Sequence, residues 1–398
     1  MSRAEQSRTL VIGGLGVGQI LAWGSSYYLP AVLANPIASD TGWSLPWIVS
    51  GLSVGSFTAG LIASRVGRAI QSSGGRLVMT AGCVFLATGL IGLGLSPSLP
   101  LHLLAWVVVG IGMGCALYDA AFSTLGRLYG EEARRAIATL TLFGGFASTV
   151  CWPLSAFLLE RLGWRGTCLA YAALHLGLIL PLYRLALPSS ARAGDQRQRP
   201  LPHTGGLNAA VVSGQQWLVF ALLATALGLA WAISSVLSVH LLAILQARGL
   251  DLAAAVALGV LVGPSQVGGR ALEMALGRHY HPIWTLLMSA ALVAAGLGLL
   301  ISGVATAALA LICYGSGAGV ASIARGTLPL AIFGPDHYSI WIGRLAGPTL
   351  VAGAVSPALA AVLLDRAGAT TLLHVLEGFA LANVGVALLL FRMQRRAS

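Results

Sequence analysis

The chain contains no lysine and few charged residues of any kind; all 23 of its basic residues are arginine. Charged residues make up only 9% of the 398 residues, whereas 57% are hydrophobic and the mean hydropathy is +0.84. Soluble domains average about 25% charged residues. Because so few charges cannot cover a water-facing surface of this size, a large soluble protein is excluded, and most of the surface is expected to face lipid.

Motifs that mark several classes of pump and enzyme are also missing. No GxxxxGK[ST] run is present, which argues against a pump driven directly by ATP. The five cysteines lie inside or at the ends of apolar segments and have no CxxC spacing, which disfavours a disulfide framework or a zinc site. We therefore predict a protein that is not an enzyme and that needs no metal or other cofactor.

Apolar runs of about 20 residues, the length that crosses a bilayer core of roughly 30 Å, recur along the whole chain. They predict an all-α membrane protein with twelve transmembrane helices, called spans 1 to 12. The predicted spans are 10–35, 45–68, 77–96, 99–124, 135–159, 166–187, 216–245, 252–275, 282–302, 305–329, 341–364 and 369–391.

The longest polar stretch, Ser189 to Gly206, separates span 6 from span 7. Its composition is typical of a mobile linker. The sequence therefore predicts an N-terminal six-helix bundle at 1–188, a cytoplasmic linker at 189–214 and a C-terminal six-helix bundle at 215–398.

Arginines are distributed unevenly between the two ends of the spans. With the N-terminus in the cytoplasm, nineteen arginines fall at cytoplasmic ends, and only Arg161, Arg165, Arg248 and Arg366 fall at the other ends. The positive-inside rule predicts this asymmetry. We therefore expect a bacterial-type inner-membrane protein with both termini in the cytoplasm. The same rule accounts for the net charge of +11 without a nucleic-acid partner.

Two similar stretches suggest an internal duplication. Leu154–Gly163 (LSAFLLERLG) resembles Leu359–Gly368 (LAAVLLDRAG) at an offset of 205 residues, and each closes an outward-running span. The same offset aligns Arg65 with Arg270. Parallel repeats of this kind are typical of transporters built from two homologous halves. The alternative is a coincidental similarity between helices rich in small residues.

One segment carries a family resemblance. Gly60 to Arg68, GLIASRVGR, resembles the GxxxDRxGR motif between the second and third helices of the major facilitator superfamily. Ser64 stands where that family commonly has aspartate, whereas Arg65 and Arg68 are retained. The likeness covers the whole chain. It implies two pseudo-symmetric six-helix bundles around a cavity lined by spans 1, 4, 7 and 10.

Two shorter stretches narrow this resemblance. Asp40 to Trp47, at the start of span 2, and Ala133 to Pro153, in span 5, are similar to segments of monocarboxylate and oxalate–formate-type carriers. This likeness implies a small organic anion as the substrate.

Charges inside the spans mark candidate functional positions, because each costs about 2.5–3.5 kcal/mol or more at mid-bilayer. Asp119 in span 4 could bind and release a proton that drives transport. Alternatively, Asp119 could form the ion pair of a gate with Arg65 or another inner-end arginine, a role that the resemblance favours. Arg65 and Arg68 are expected to belong to the same gate.

Span 10 carries Arg325, whose guanidinium group can engage a substrate carboxylate through two hydrogen bonds. The alternatives are a pair with Glu273 and an extension toward the inner headgroups. Arg270 and Glu273 lie three residues apart on span 8 and are expected to pair with each other in a structural or gating role. Gln266, one turn away, could line the cavity.

Span 1 has an unusual stripe of polar and aromatic side chains, because Gln19, Trp23 and Tyr27 recur at helical spacing. Trp231 and Ser235 form a comparable set in span 7. The resemblance implies that both sets face the cavity and contact substrate. The alternatives are aromatic packing and, for Tyr27, a place in the aromatic belt at the membrane interface.

Together these features predict a secondary transporter that works as a monomer in the lipid bilayer by alternating access. Its expected substrate is a small organic anion such as a monocarboxylate, and its expected coupling ion is the proton. The alternative is a proton-driven exporter of a toxic or hydrophobic compound. An intramembrane enzyme or receptor is a different class, and an enzyme would need a mid-depth cluster of His, Asp or Glu that the sequence lacks.

Overall fold

The structure, a computed structural model, describes residues 3–188 and 214–397 as a bundle of helices. Within these residues no β-strand occurs. The predicted linker at 189–214 lies outside the described residues except for Gly214, which begins span 7.

The spans of the N-terminal half are built from the following α-helices. These are Arg3–Gly24 and Leu29–Thr41 in span 1, Leu45–Ser73 in span 2, Gly75–Leu95 in span 3, Leu99–Ala116 and Tyr118–Tyr129 in span 4, Ala133–Gly145 in span 5, and Ala147–Leu174, which continues span 5 and after Gly163 begins span 6. A turn of π-helix and the helix Leu180–Ala186 complete span 6.

The C-terminal half follows the same order. Its helices are Gly214–Ala247 in span 7, Leu252–Gly259 and Val262–Leu276 in span 8, Pro282–Ser302 in span 9, Ala307–Phe333 in span 10, and Tyr338–Ala397, which forms span 11 and after Gly368 span 12.

All twelve predicted spans therefore coincide with helices in the described part of the chain. By length and composition alone, eight continuous stretches are long and apolar enough to cross a membrane. Leu99–Ala186 holds three spans and Tyr338–Arg395 holds two. Span 8 is missing from the eight because its two helices have only 8 and 15 residues. Several helices extend beyond their apolar cores; span 1, predicted at 10–35, begins at Arg3 and ends at Thr41.

The two sharp turns at the repeat have the same backbone conformation. Gly163 has φ 66° and ψ 177°, and Gly368 has φ 78° and ψ 170°. Only glycine adopts this region readily, because it has no Cβ. The turn between spans 5 and 6 thus recurs between spans 11 and 12, as expected for two pseudo-symmetric halves.

Both described ends of the chain lie on one face of the bundle, together with the turns at Gly74, Gly130–Glu132, Gly277–His281 and Gly334–His337. We call this the terminal face. Contacts join its elements: Arg8 pairs with Glu132 at 2.9 Å, and Gln71 donates to the Asp336 carbonyl at 2.6 Å.

Toward the terminal face, the two halves meet along spans 2 and 11 through Gly60, Gly67, Gly343 and Gly347, which we call the glycine seam. A Cβ on Gly67 would lie 2.2 Å from the carbonyl oxygen of Ser339, and one on Gly343 would lie 2.6 Å from that of Ala63. Small residues of this kind let membrane helices approach closely. The seam therefore holds the halves together on this side.

Away from the terminal face, spans 1 and 5 flank an open apolar cleft of about 540 Å³. Its lining residues are Ala31, Val32, Thr149, Trp152, Pro153 and Ala156.

Candidate functional site

A break in span 4 positions the central acid. Leu117 has an extended conformation (φ −80°, ψ −171°), so that a new helix begins at Tyr118 with Asp119 in its first turn. The positive end of a helix dipole favours a carboxylate at this position. Span 10 runs unbroken through the same depth, and its last third carries Arg325.

Asp119 and Arg325 form a bidentate ion pair across the two halves. The Nε atom of Arg325 donates to Oδ1 of Asp119 at 3.0 Å, and an Nη atom donates to Oδ2 at 2.6 Å. The side chain of Asp119 is only 17% exposed, and that of Arg325 is only 9% exposed. The guanidinium carbon of Arg325 also lies 5.1 Å from the centre of the Trp231 ring. In this conformation, Asp119 occupies the edge of the Arg325 guanidinium group that is formed by Nε and one Nη atom, an edge that could otherwise bind a substrate carboxylate.

Arg270 is buried between the halves, with only 6% of the residue exposed. Its guanidinium group donates to the Thr141 carbonyl at 3.0 Å, to the Gln266 side-chain oxygen at 3.3 Å and to the Gly319 carbonyl at 3.4 Å. In the described part of the chain, no carboxylate lies within 4 Å of it. Arg270 is thus a buried cation held only by neutral oxygens.

Glu273 instead belongs to a cluster near the terminal face. Thr285 donates to its Oε1 at 2.6 Å, Tyr280 donates a short hydrogen bond to its Oε2, and Arg134 of the N-terminal half lies 4.0 Å away. Arg134 also donates to the Tyr280 carbonyl at 2.8 Å. Burial, followed by the hydrogen bond to Glu273, raises the pKa of Tyr280, which therefore stays a proton donor. The cluster joins the loop before span 9 to span 5.

This geometry corrects one expected pairing and decides between the alternatives left open for Asp119 and Arg325. Arg270 and Glu273 do not pair: their side chains lie about 60° apart around the helix, so Arg270 reaches spans 5 and 10 while Glu273 reaches Thr285 on span 9. Arg325 pairs with Asp119 and not with Glu273. Asp119 therefore pairs with Arg325 and not with Arg65, which is exposed on span 2.

The stripe on span 1 divides into two roles. Gln19 is fully buried and donates to the Ala116 carbonyl at 2.6 Å, where the first helix of span 4 ends. Its oxygen accepts a hydrogen bond from Trp23 at 3.2 Å. Gln19 thus fastens span 1 to span 4. Trp23 and Tyr27 contact the ring of Trp231 across the halves, at 6.3 and 6.1 Å between ring centres.

The other predicted residues are bound within their own half or lie at its surface. Ser235 donates to the Gly353 carbonyl at 2.7 Å and so joins span 7 to span 11, and Gln266 accepts from Arg270. Arg65 and Arg68 are exposed at the end of span 2. Ser64, in the position of the usual aspartate, differs from these residues because it donates to the other half, to the Gly343 carbonyl at 3.4 Å.

The space around the central pair is small. A cavity of about 20 Å³ is lined by Trp23, Tyr118, Asp119 and Arg325 together with small and apolar residues of spans 2, 4 and 11. A water needs roughly 10–15 Å³ of such volume. The cavity therefore holds about one water, and a carboxylic acid could enter only if the halves moved or the pair opened.

Sequence reasoning missed Tyr118 and Arg134. Tyr118 lies within electrostatic range of both Arg270 and Arg325, and it donates to the same Thr141 carbonyl as Arg270, at 3.3 Å. Its hydroxyl packs against Gly144, since a Cβ there would lie 1.9 Å from it. The adjacent glycines at 144 and 145 could have indicated this close contact from the sequence, because glycine lets a bulky side chain approach a helix closely.

A two-part helical bundle with buried ions at the contact between its halves defines a multi-pass membrane transporter. The sequence profile described as Major Facilitator Superfamily matches residues 15–328. The chain belongs to this family, whose members are transporters and not enzymes.

Individual relatives agree with this family. The chain is 31% identical to the mouse monocarboxylate transporter 11 over 213 residues, 53% of this chain and 45% of that protein. It is 34% identical to the gallate transporter of Pseudomonas putida over 157 residues, 38% of this chain and 32% of that protein. The matches to both proteins thus span less than half of the relative's length.

A solved structure supports the fold. The human organic anion transporter MFSD10 superposes with a TM-score of 0.75, covering 97% of this chain and all of that one at 18% identity. At this identity the likeness shows the fold alone.

Proposed function

We propose that the protein is a proton-coupled symporter of a small organic monoanion. The observation that carries this proposal is the charge at the contact between the halves. Arg270 and Arg325 supply two positive charges there, and Asp119 supplies one negative charge. Glu273 and Arg134 form a separate, balanced pair. One positive charge is therefore left over, and an unpaired buried charge costs several kcal/mol. This excess positive charge favours the binding of a monoanion.

The same charges explain coupling to a proton. A proton on Asp119 breaks the ion pair and leaves two buried guanidinium groups with no carboxylate, which is unfavourable. A substrate carboxylate can then take the place of Asp119 on Arg325. Its negative charge offsets the added proton, so the net charge of the contact is again that of the empty carrier. The anion and the proton therefore bind together, and the loaded and the empty carrier reorient with equal net charge.

The relatives' names agree with an anionic substrate, since one is a monocarboxylate transporter and another a gallate transporter. The alternative is a proton-driven exporter of a toxic or hydrophobic compound. Arg270 disfavours this alternative for cationic compounds, because a buried positive charge repels a cationic substrate.

Orientation follows from the arginines. The terminal face carries most of them, so that we assign it to the cytoplasm of a bacterial-type inner membrane, with both termini inside. The glycine seam and the Glu273 cluster then close the cytoplasmic side in this conformation. Alternating access needs both to open, and a single chain holds every residue that this mechanism uses, in keeping with a monomer.

Uptake of labelled lactate into proteoliposomes tests the proposal. We expect accumulation when the outside is acid, and little uptake without the pH gradient. Lactate, pyruvate and benzoate are offered in turn so that one poor substrate does not decide the result. The proposal fails if no carboxylate moves while a lipophilic cation such as tetraphenylphosphonium is expelled, a result that would favour the exporter.

A further inference from the structure

A continuous series of aromatic rings leads from the apolar cleft to the central ion pair. We call it the aromatic column; its members are Trp152, Tyr28, Tyr27, Trp23, Trp231, Tyr118 and Phe122. Trp152 lines the cleft and contacts Tyr28 at 6.1 Å between ring centres. Tyr28 contacts Tyr27 at 5.4 Å, and Tyr27 contacts Trp23 at 5.4 Å. The series thus connects ring to ring without interruption.

The column ends at the candidate site for the carboxylate. Trp23 contacts Tyr118 at 5.1 Å, and Tyr118 stacks on Phe122 at 5.0 Å, with an angle of 10° between the ring planes. Trp231, which carries Arg325 over its face at 5.1 Å, completes this end. Rings and a guanidinium group therefore lie within the reach of one small molecule.

The ring contacts that cross between the halves are longer than the two shortest ring contacts of Trp23 in its own half, at 5.1 Å with Tyr118 and 5.4 Å with Tyr27. Trp231 is 6.3 Å from Trp23 and 6.1 Å from Tyr27, with ring planes tilted by 59° and 51°. Aromatic pairs span about 4.5–7 Å between ring centres, so these two contacts lie toward the long end. Tyr27 and Trp231 are also only partly buried. A small separation of the halves would admit a planar ring between them.

From this arrangement we infer that the substrate is an aromatic monocarboxylate, whose ring inserts between Trp231 and the pair Trp23 and Tyr27 while its carboxylate binds Arg325. This inference rests on the proposed function and adds the substrate class. An aliphatic acid such as lactate would satisfy Arg325 equally well. It would leave the three rings without the ring-to-ring attraction that an aromatic partner adds to apolar burial.

The rings alone would also suit a lipophilic cation, since cations bind over aromatic faces. Arg325 already occupies one face of Trp231, and Arg270 adds a second positive charge nearby. The combination of rings with excess positive charge selects an aromatic anion.

The test compares labelled 4-hydroxybenzoate with labelled L-lactate in proteoliposomes under the same acid-outside gradient, after subtraction of uptake by protein-free liposomes. We expect the ratio of transport rate to half-saturating concentration to favour 4-hydroxybenzoate by about tenfold, the effect of one to two aromatic contacts. Trp231→Leu should abolish this preference, whereas Trp231→Phe, which retains a ring, should preserve most of it. Thermal unfolding in detergent shows whether the leucine variant is folded.

Trp47→Leu is the matched control, because Trp47 is 58% exposed at the start of span 2, outside the aromatic column. It should leave the preference unchanged. An equal or greater rate for lactate in the unmodified protein overturns the inference and leaves the proposed function intact. A preference that Trp231→Leu does not alter also overturns it. If neither acid is transported, the proposed function itself fails.

Discussion

Arg65 and Arg270 occupy corresponding positions of the two halves, 205 residues apart, yet their surroundings are opposite. Arg65 is exposed at the end of span 2. Arg270 is buried in span 8 and donates to three neutral oxygens. The N-terminal half brings an acid and most of the rings to the contact, and the C-terminal half brings two cations. The two halves thus share a scaffold, whereas the charges they bring to the contact differ.

The helices that meet at the contact also differ between the two halves. Spans 1 and 4 are each interrupted, at residues 25–28 and at Leu117, whereas spans 7 and 10 run continuously through the bilayer. The interruption of span 4 puts Asp119 in the first turn of a helix. Discontinuous helices at a binding site are typical of transporters, because freed backbone groups can then face a polar cavity. Among these four spans, the interrupted ones therefore belong to the half that carries Asp119.

The largest effect is expected from Arg270→Gln, compared with Arg65→Gln. If Arg270 supplies the charge that binds the anion, its loss should lower the ratio of transport rate to half-saturating concentration by about 100-fold, since truncating a buried ionic partner costs 2–5 kcal/mol. Arg65→Gln should change it less than about threefold, as expected for a surface charge. Uptake of a labelled carboxylate measures both. Equal effects of the two variants would contradict the contrast between the halves.

A somewhat smaller effect is expected from Asp119→Asn, which removes the proposed proton site. Uptake driven by a pH gradient should fall at least about tenfold, while exchange of internal for external anion should continue, because Arg325 then binds substrate without competition. The matched control is Glu132→Gln, since Glu132 is 76% exposed in its pair with Arg8. An Asp119→Asn protein that still concentrates the anion in response to pH would exclude Asp119 as the coupling residue.

Gly67→Ala should have a moderate effect on the balance of conformations. The added methyl group would lie 2.2 Å from the Ser339 carbonyl, an overlap that rigid helix backbone can relieve only if the halves move apart. We expect a several-fold increase in reagent labelling of a cysteine placed at Ser339, measured from the terminal face. Gly13→Ala, where no atom lies within 4 Å of the new methyl group, is the control. Equal labelling in both proteins would mean that the seam does not close this face.

The smallest effect on transport is expected at the paired turns. Gly163→Ala and Gly368→Ala should each lower the free energy of unfolding by about 1–3 kcal/mol, because alanine is strained at their positive φ. Transport per folded molecule should stay within about twofold of the unmodified protein. Thermal unfolding in detergent measures the first effect, with Gly385→Ala as a helical control in open space. A loss of stability at only one of the two turns would contradict the structural equivalence of the halves.

The fold was largely predictable from sequence because crossing a bilayer depends on local runs of apolar residues. The turns at Gly163 and Gly368 were likewise visible, since a strained backbone demands glycine in both halves. The partner of Asp119 was not, because Arg325 is 206 residues away and meets it only through the packing of the halves. Glu273 was assigned to Arg270 from their spacing, but spacing does not reveal which neighbouring helix each side chain reaches.

The central claim is that one anion and one proton cross together, so that the loaded carrier has the charge of the empty one. The direct measurement is carboxylate uptake into proteoliposomes in which the pH gradient and the membrane potential are set independently. The account predicts that the pH gradient drives uptake and that a potential of 100 mV changes the uptake rate less than about twofold. If a net charge crossed with the substrate, the same potential would contribute about 2.3 kcal/mol, or a factor of nearly 50. Uptake that follows the potential and ignores the pH gradient would contradict it.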